Sequence, residues 1–139
     1  MKFTTLLIFI FISLLVACGA AEPAPPQSIL EDETLDLPLE LDVQTTAAVQ
    51  NRDDVILIDV REQWEYDEAH IPNVTLIPMS ELANRLDEIP TDKEVILTCR
   101  SGNRSGQVTE FLQQNGFDNV HNMQGGILAW QQAGLKVEQ

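Results

Sequence analysis

The fold is decided by the stretch Val95-Ile96-Leu97-Thr98-Cys99-Arg100-Ser101-Gly102-Asn103-Arg104-Ser105. Its first four residues form an apolar, β-branched run that is typical of a strand buried on both faces. A helix-like stretch begins near Ser105, so Cys99 falls in the loop at the carboxyl end of that strand. In an open α/β sheet, ligands bind at this edge, where the next helix points its free N–H groups. We therefore expect the chemistry to lie in the loop from Cys99 to Ser105.

Strand and helix signals alternate on both sides of this loop. Further strands are predicted over 55–58, over 74–77 and near Val120. Helices are predicted over 45–50, from a cap at Ser80 to residue 89, from Ser105 to a cap at Gly116, and over 127–133, where Trp130 is expected in the core. This alternation predicts an α/β fold with a parallel sheet and helices on both faces.

Size and charge limit the possible functions. A chain of 139 residues has room for one domain and an appendage. Its 22 acidic and 8 basic residues give a formal net charge of −14. A surface that neutralises a phosphate backbone needs clustered Lys and Arg, so the composition argues against nucleic acid as a partner.

The amino terminus has the pattern of an export signal. Lys2 precedes a mostly apolar run over 3–16, and Ala17-Cys18 follow. The run is shorter than the roughly 20 residues that span a bilayer. Residues 15–18, Leu-Val-Ala-Cys, resemble the lipobox of bacterial lipoproteins. The resemblance implies a signal peptide over 1–17 and a lipid on Cys18. This lipid would anchor the exported protein to the cell-envelope membrane, in either leaflet. An ordinary signal peptide and an uncleaved anchor are the alternatives.

Residues 18–38 are predicted to form a disordered tether, and residues 39–139 the folded domain. The tether contains four prolines and an acidic group but no persistent apolar period. A competing interpretation is a short strand at the end of the tether, because leucines alternate there, at Leu35, Leu37, Leu39 and Leu41.

Four motifs follow one another along the domain. They are Asp59-Val60-Arg61-Glu62 with Glu65-Tyr66, then His70-Ile71-Pro72, then the loop from Cys99 to Ser105, and last Gly125-Gly126-Ile127 with Ala129-Trp130 and Ala133-Gly134-Leu135. In this order they resemble a single-domain rhodanese of the thiosulfate sulfurtransferase type, over about residues 39–139. Asn73 and Gln124 depart from the family pattern, and both lie outside the loop.

The resemblance implies sulfur transfer without a cofactor. Cys99 would take a sulfane sulfur from a small anionic donor such as thiosulfate, carry it as a persulfide, and yield it to cyanide or a thiol. The substrate-binding loop would comprise Arg100, Ser101, Gly102, Asn103, Arg104 and Ser105. The residues support this chemistry, because converging N–H groups, a helix N-terminus and two arginines stabilise a thiolate. A glycine at position 102 lets the loop curl.

Other polar residues receive supporting roles. Asp59 is expected to fix a turn or pair with an arginine, and tuning of the site is the alternative. Arg61 and Glu65 are expected to form an ion pair at the solvent edge, and a substrate role is the alternative. His70 precedes Ile71-Pro72 and is expected to hydrogen-bond backbone, with a role as general base the alternative. His121 has no partner in the pattern. Two histidines and one free cysteine at these spacings do not make a zinc set, so no metal is expected.

Three rival functions remain beside sulfur transfer. The related cysteine phosphatases place five residues between cysteine and arginine, whereas Cys99 and Arg104 are separated by four. The shorter loop predicts a smaller cradle, fitted to sulfur rather than to a phosphoryl group. A non-catalytic binding module is another possibility, since one fold hosts many functions. A sulfur carrier or thiol-redox protein is the third, although redox cycling needs a resolving cysteine, and Cys18 is the only other one.

Overall fold

A computed structural model describes residues 35–139 of the chain. The predicted signal peptide, the lipidated Cys18 and the tether up to residue 34 lie outside the described residues. The described part contains a five-stranded, entirely parallel sheet. Its strands are β1 Glu40–Leu41, β2 Val55–Asp59, β3 Thr75–Leu76, β4 Glu94–Thr98 and β5 Val120–Met123. Their spatial order is β1-β5-β4-β2-β3, which puts β4 at the centre.

Within residues 35–139, four α-helices pack on the sheet. They are α1 Val43–Val49, α2 Gln63–Glu68, α3 Asn103–Gln114 and α4 Gly126–Gln132. Successive residues of β4 point to opposite faces and join two separate cores: Val95 and Leu97 pack with α3, and Ile96 packs with α4 and α1. The predicted α/β fold with helices on both faces of a parallel sheet is therefore confirmed.

The segment after Ser80 differs from the prediction. Instead of an α-helix it forms two 3₁₀ turns, Leu82–Asn84 and Leu86–Glu88. Its N–H groups bond carbonyls three residues back, and Pro90, which follows directly, stops the chain from continuing as a helix. The predicted apolar face is kept, because the turns still direct Leu82 and Ile89 into the core.

Two further elements differ from expectation. Helix α3 begins at Asn103, two residues earlier than predicted, with Gly102 as its N-cap. Helix α2 carries no apolar periodicity in the sequence; a reciprocal capping box between Glu62 and Glu65 starts it. None of the helices within residues 35–139 is long and apolar enough to cross a bilayer.

Candidate active site

The sheet brings two of the sequence motifs together. Strands β2 and β4 are parallel neighbours, with Asp59 in register with Thr98. The residues that follow these two strands therefore emerge side by side at one edge of the sheet. Arg61 follows β2, and Cys99 follows β4.

The loop after β4 folds around the Cys99 sulfur. The Gly102 N–H donates a hydrogen bond to Cys99 Sγ at 3.1 Å, and the Ser105 hydroxyl lies 3.4 Å from the same sulfur. Gly102 adopts φ +92°, and a Cβ there would approach the Gly125 nitrogen to 3.0 Å. Cys99 is only 1% exposed. The sulfur thus sits in a shell of hydrogen-bond donors.

These donors change the acidity of the thiol. Burial raises the pKa of Cys99, but hydrogen bonds from the Ser105 hydroxyl and from the N–H groups of Ser105, Ser101 and Gly102 outweigh it, so the pKa lies below its usual value. A lower pKa gives more thiolate, the nucleophilic form, at neutral pH. The local environment therefore favours a reactive cysteine.

Helix α4 holds the loop in place through two backbone hydrogen bonds. The Ile127 N–H donates to the Cys99 carbonyl at 2.9 Å, and the Leu128 N–H donates to the Arg100 carbonyl at 3.2 Å. Because the C=O and N–H of a trans peptide point in opposite directions, the Arg100 carbonyl turned toward α4 leaves the next N–H, that of Ser101, facing the sulfur, to which it donates. Gly126, at φ +56°, permits this approach, since a Cβ there would lie 2.6 Å from the Arg100 carbonyl carbon.

The two loop arginines have different surroundings. Arg104 makes a two-pronged ion pair with the Glu65 carboxylate, at 2.6 and 2.7 Å. The hydrogen bond from Arg104 outweighs burial and holds the pKa of Glu65 below its usual value. The Arg100 guanidinium has no hydrogen bond or ion pair among residues 35–139 and is exposed. Arg100 is therefore the loop cation left to meet an anion.

The expected ion pair between Arg61 and Glu65 is wrong. Arg61 is buried and pairs with Asp59 instead, with Nη2 at 2.6 Å from Oδ2. It also donates to the backbone carbonyls of Glu65 and Ala69, at 3.0 and 2.8 Å. The Glu65 carboxylate is taken by Arg104, a partner 39 residues away that local spacing does not reveal. The Asp59 side chain thus pairs with an arginine, and it also fixes the turn by accepting from the Arg61 N–H at 3.0 Å, so both structural roles expected of it are present.

The two histidines contact backbone and lie apart from the loop. His70 Nδ1 is 3.1 Å from the Tyr66 carbonyl, and its ring stacks on Tyr66 with 3.9 Å between centroids. These contacts favour the structural interpretation of His70. His121, for which the pattern showed no partner, lies 2.7 Å from the Glu94 carboxylate and 2.9 Å from the Pro38 carbonyl. Within the described part of the chain, no three metal-ligating side chains form a group.

A cavity of about 680 Å³ lies beside the loop. Arg100 and Arg104 line it from the loop, Trp64 lines it from α2, and Leu128 lines it from α4. The Cys99 side chain does not line the cavity, but the residues at both ends of its loop do. Trp64 is 63% exposed. Sequence reasoning missed Trp64 because a single exposed aromatic residue produces no periodic signal.

Known proteins share the fold and the sequence of this domain. The family model for the rhodanese-like domain matches residues 42–133. A sulfurtransferase of Allochromatium vinosum is 41% identical over 61% of this chain and 79% of its own. The putative sulfurtransferase YtwF of Bacillus subtilis is 36% identical over 67% of this chain and 93% of its own. The crystal structure of a rhodanese-related protein from Thermoplasma volcanium, 32% identical, superposes with a TM-score of 0.66 over 73% of this chain and 98% of that one.

The chain therefore belongs to the rhodanese-like family of sulfurtransferases.

Proposed function

We propose that the protein transfers a sulfane sulfur through a persulfide on Cys99. The observation that carries the proposal is the shell of donors around Cys99 Sγ, from the Gly102 N–H and the Ser105 hydroxyl. Donors of this kind stabilise both a thiolate and a terminal persulfide anion, which carry the same charge. The proposed donor is a small anion such as thiosulfate, which the exposed Arg100 attracts against the net negative charge of the chain.

The reaction divides into two displacements at sulfur. The Cys99 thiolate attacks the sulfane sulfur of thiosulfate, a new S–S bond forms, and the S–S bond of thiosulfate breaks with its electron pair leaving on sulfite. Cyanide or a thiolate then attacks the outer sulfur of the persulfide. The Cys99 sulfur leaves as a thiolate, which restores the starting state. Neither step needs a metal, a redox cofactor or a general base.

A phosphatase activity fits the loop less well. The loop between Cys99 and Arg104 is one residue shorter than in the related phosphatases, and Arg104 is held by Glu65. A phosphoryl group has three outer oxygens to bind, and of the two loop arginines only Arg100 has no ion pair within residues 35–139. Hydrolysis of a phosphate ester above background by the purified protein would contradict this assignment.

The decisive experiment is intact-mass spectrometry after incubation with thiosulfate. We expect the wild-type chain to gain the mass of one sulfur atom, a fragment containing Cys99 to carry it, and cyanide to remove it with formation of thiocyanate. Cys99→Ser is the matched control and should gain nothing. A wild-type chain that stays unmodified by all sulfane donors would favour the binding-module alternative. A persulfide that forms but is not removed by cyanide or small thiols would favour a carrier that delivers sulfur to a partner protein.

We further propose that the protein is exported and anchored to the bacterial cell envelope through a lipid on Cys18. The support is the order of Lys2, the apolar run over 3–16 and the lipobox-like sequence ending in Cys18. More than one acyl chain gives stable anchoring, at about 0.8 kcal/mol for each buried methylene. Expression in a bacterial host with labelled fatty acid tests this. The wild-type chain should acquire label and fractionate with membranes, and Cys18→Ser should not acquire label. An unlabelled wild-type chain contradicts the proposal.

A further inference from the structure

A short segment leads into the folded domain, and one side chain holds most of it. Residues 35–39, called the entry segment below, precede strand β1. His121 Nδ1 lies 2.9 Å from the Pro38 carbonyl. Within the described part of the chain, the backbone of residues 35–38 makes no other hydrogen bond. Two half-buried side chains of the segment add apolar contacts with the core, those of Leu35 and Leu37. The contact with His121 is therefore the main polar attachment of the entry segment ahead of Leu39.

The His121 ring meets a hydrogen-bond acceptor at each of its two nitrogens. Its Nε2 lies 2.7 Å from Glu94 Oε2, while its Nδ1 faces the Pro38 carbonyl. A carbonyl and a carboxylate accept hydrogen bonds and do not donate them. A neutral imidazole carries one N–H and can bond only one of these acceptors, whereas an imidazolium carries two and bonds both. The geometry therefore fits the protonated ring.

Burial determines what happens when the ring loses a proton. His121 is only 6% exposed, so little water is available to replace a lost partner. In the neutral ring, one nitrogen lone pair would face an acceptor, and an unsatisfied group in a buried place is destabilising. The remaining N–H stays with the Glu94 carboxylate, because hydrogen bonds to a charged acceptor are stronger than those to a carbonyl. The contact with the Pro38 carbonyl is therefore the one that is lost.

The charges around the ring leave Glu94 as its only ion-pair partner within residues 35–139. His121 is in register with Ile96, so its side chain lies on the face of the sheet that α1 and α4 cover. Neither helix contains a titratable residue. The titratable residues of the neighbouring segments make no hydrogen bond or ion pair with the ring; they are Asp36, Glu40, Asp42, His70, Lys93, Lys136 and Glu138.

We infer that His121 is a pH-sensitive latch on the entry segment. The imidazolium donates to the Pro38 carbonyl and holds the segment on the domain, and the neutral ring releases it. The held state binds the proton, so acid favours it and the latch opens as the pH rises. Opening adds up to five residues, about 17 Å of extended chain, to the part of the chain that precedes the domain. The inference does not depend on the reaction at Cys99.

Hydrogen exchange at single amides of the full chain measures the latch. The Asn122 N–H donates to the Leu39 carbonyl at 2.8 Å, so it reports detachment of the entry segment. The Ile77 N–H donates to the Asp59 carbonyl at 3.0 Å, at the other edge of the sheet, and reports the rest of the domain. From about pH 5.5 to about pH 8.5, a range that spans the titration of ordinary imidazoles, the protection factor of Asn122 should fall about two- to tenfold, the range of one hydrogen bond. That of Ile77 should stay constant.

Two variants, each lacking one carboxylate, test the cause of this change. Glu94→Gln places an amide beside His121 Nε2, and its NH₂ group can donate to the neutral ring. The ring then keeps its own N–H on the Pro38 carbonyl, so the pH dependence of the Asn122 protection factor should vanish. Glu81→Gln removes a surface carboxylate that pairs with Arg85. It should keep the pH dependence of the wild-type chain.

Nitrogen NMR of the wild-type ring needs no variant. At about pH 5.5 both ring nitrogens of His121 should carry a proton, and at about pH 8.5 only Nε2 should carry one. A neutral ring at the lower pH, or a neutral ring that keeps its proton on Nδ1, would overturn the inference. So would an Asn122 protection factor that does not change with pH, or one that falls equally in Glu94→Gln. None of these measurements involves persulfide formation, so the latch and the proposed sulfur transfer stand or fall separately.

Discussion

Replacing Gly126 by alanine tests how the loop around Cys99 is held. Gly126 has φ +56°, and an added Cβ would lie 2.6 Å from the carbonyl carbon of Arg100 and 2.7 Å from its oxygen. Both contacts are with backbone, so no change of rotamer relieves them. Either the start of α4 or the loop has to move. That movement would break the hydrogen bonds from Ile127 to the Cys99 carbonyl and from Leu128 to the Arg100 carbonyl.

The expected loss of stability has two parts. An alanine in the left-handed region costs about 1 to 2 kcal/mol relative to glycine. Two broken backbone hydrogen bonds add about 0.5 to 1.5 kcal/mol each. We therefore expect Gly126→Ala to lower the free energy of unfolding by about 2 to 5 kcal/mol. A domain in the middle or upper part of the ordinary range of about 5 to 15 kcal/mol would stay folded after this change, but with a displaced loop.

Gly134→Ala is the matched control. Gly134 has φ +72°, and an added Cβ would meet nothing within 4 Å. Gly134→Ala should therefore lower the free energy of unfolding only by the conformational part, about 1 to 2 kcal/mol. Both variants would be unfolded in urea and followed by far-UV circular dichroism, and both would be assayed for persulfide formation with thiosulfate. Only Gly126→Ala should lose most of the persulfide signal. If the two variants lose equal stability, or if Gly126→Ala keeps full activity, the proposed support of the loop by α4 is wrong.

Three further predictions concern acidity and ion pairs. Hydrogen bonds lower the pKa of Cys99 despite burial, so the rate of alkylation of Cys99 by iodoacetamide should rise with pH and level off at a lower pH than is usual for a free cysteine. Ser105→Ala should move the midpoint of this pH profile upward. An unchanged midpoint would contradict the role of the Ser105 hydroxyl. Glu65→Gln breaks the ion pair with Arg104 and should cost about 1 to 3 kcal/mol at pH 7, between the values for exposed and buried pairs. Since the pKa of Glu65 is lowered in the folded state, the stabilisation by this ion pair is complete above the ordinary carboxyl pKa and is lost as the pH falls through the lowered value. The free energies of unfolding of the variant and the wild type, measured in urea, should therefore converge in acid. His121→Ala removes the partner of the Glu94 carboxylate and of the Pro38 carbonyl. It should lower the free energy of unfolding by about 1 to 3 kcal/mol and leave persulfide formation unchanged. A loss of persulfide formation in the folded variant would contradict the separation of His121 from the site.

Local patterns in the sequence predicted the sheet and the position of the loop. The run from Val95 to Thr98 has the β-branched, continuous apolar character of a buried central strand, and the structure places β4 there. The fold class was predictable because each such pattern reports burial on its own element. The segment after Ser80 was not, since the same apolar spacing suits two 3₁₀ turns as well as a helix.

Contacts between distant parts of the chain were beyond local patterns. The ion pair between Arg104 and Glu65 joins residues 39 positions apart, so spacing suggested Arg61 as the partner of Glu65 instead. The glycine pair at 125 and 126 was visible as a motif, but its role depends on how closely α4 approaches the loop. The Cys99 and Ser105 roles stay predictions until the persulfide is measured.

The support that α4 gives to the loop affects when the thiol becomes reactive during synthesis. A ribosome makes Cys99 well before Ile127 and Leu128, whose N–H groups hold the loop carbonyls in place. Until those last residues emerge and pack, no donor shell surrounds the sulfur, and the cysteine has the weak acidity and slow chemistry of a thiol in an unfolded peptide. The lowered pKa of the Cys99 thiol is therefore expected only after α4 has packed against the loop.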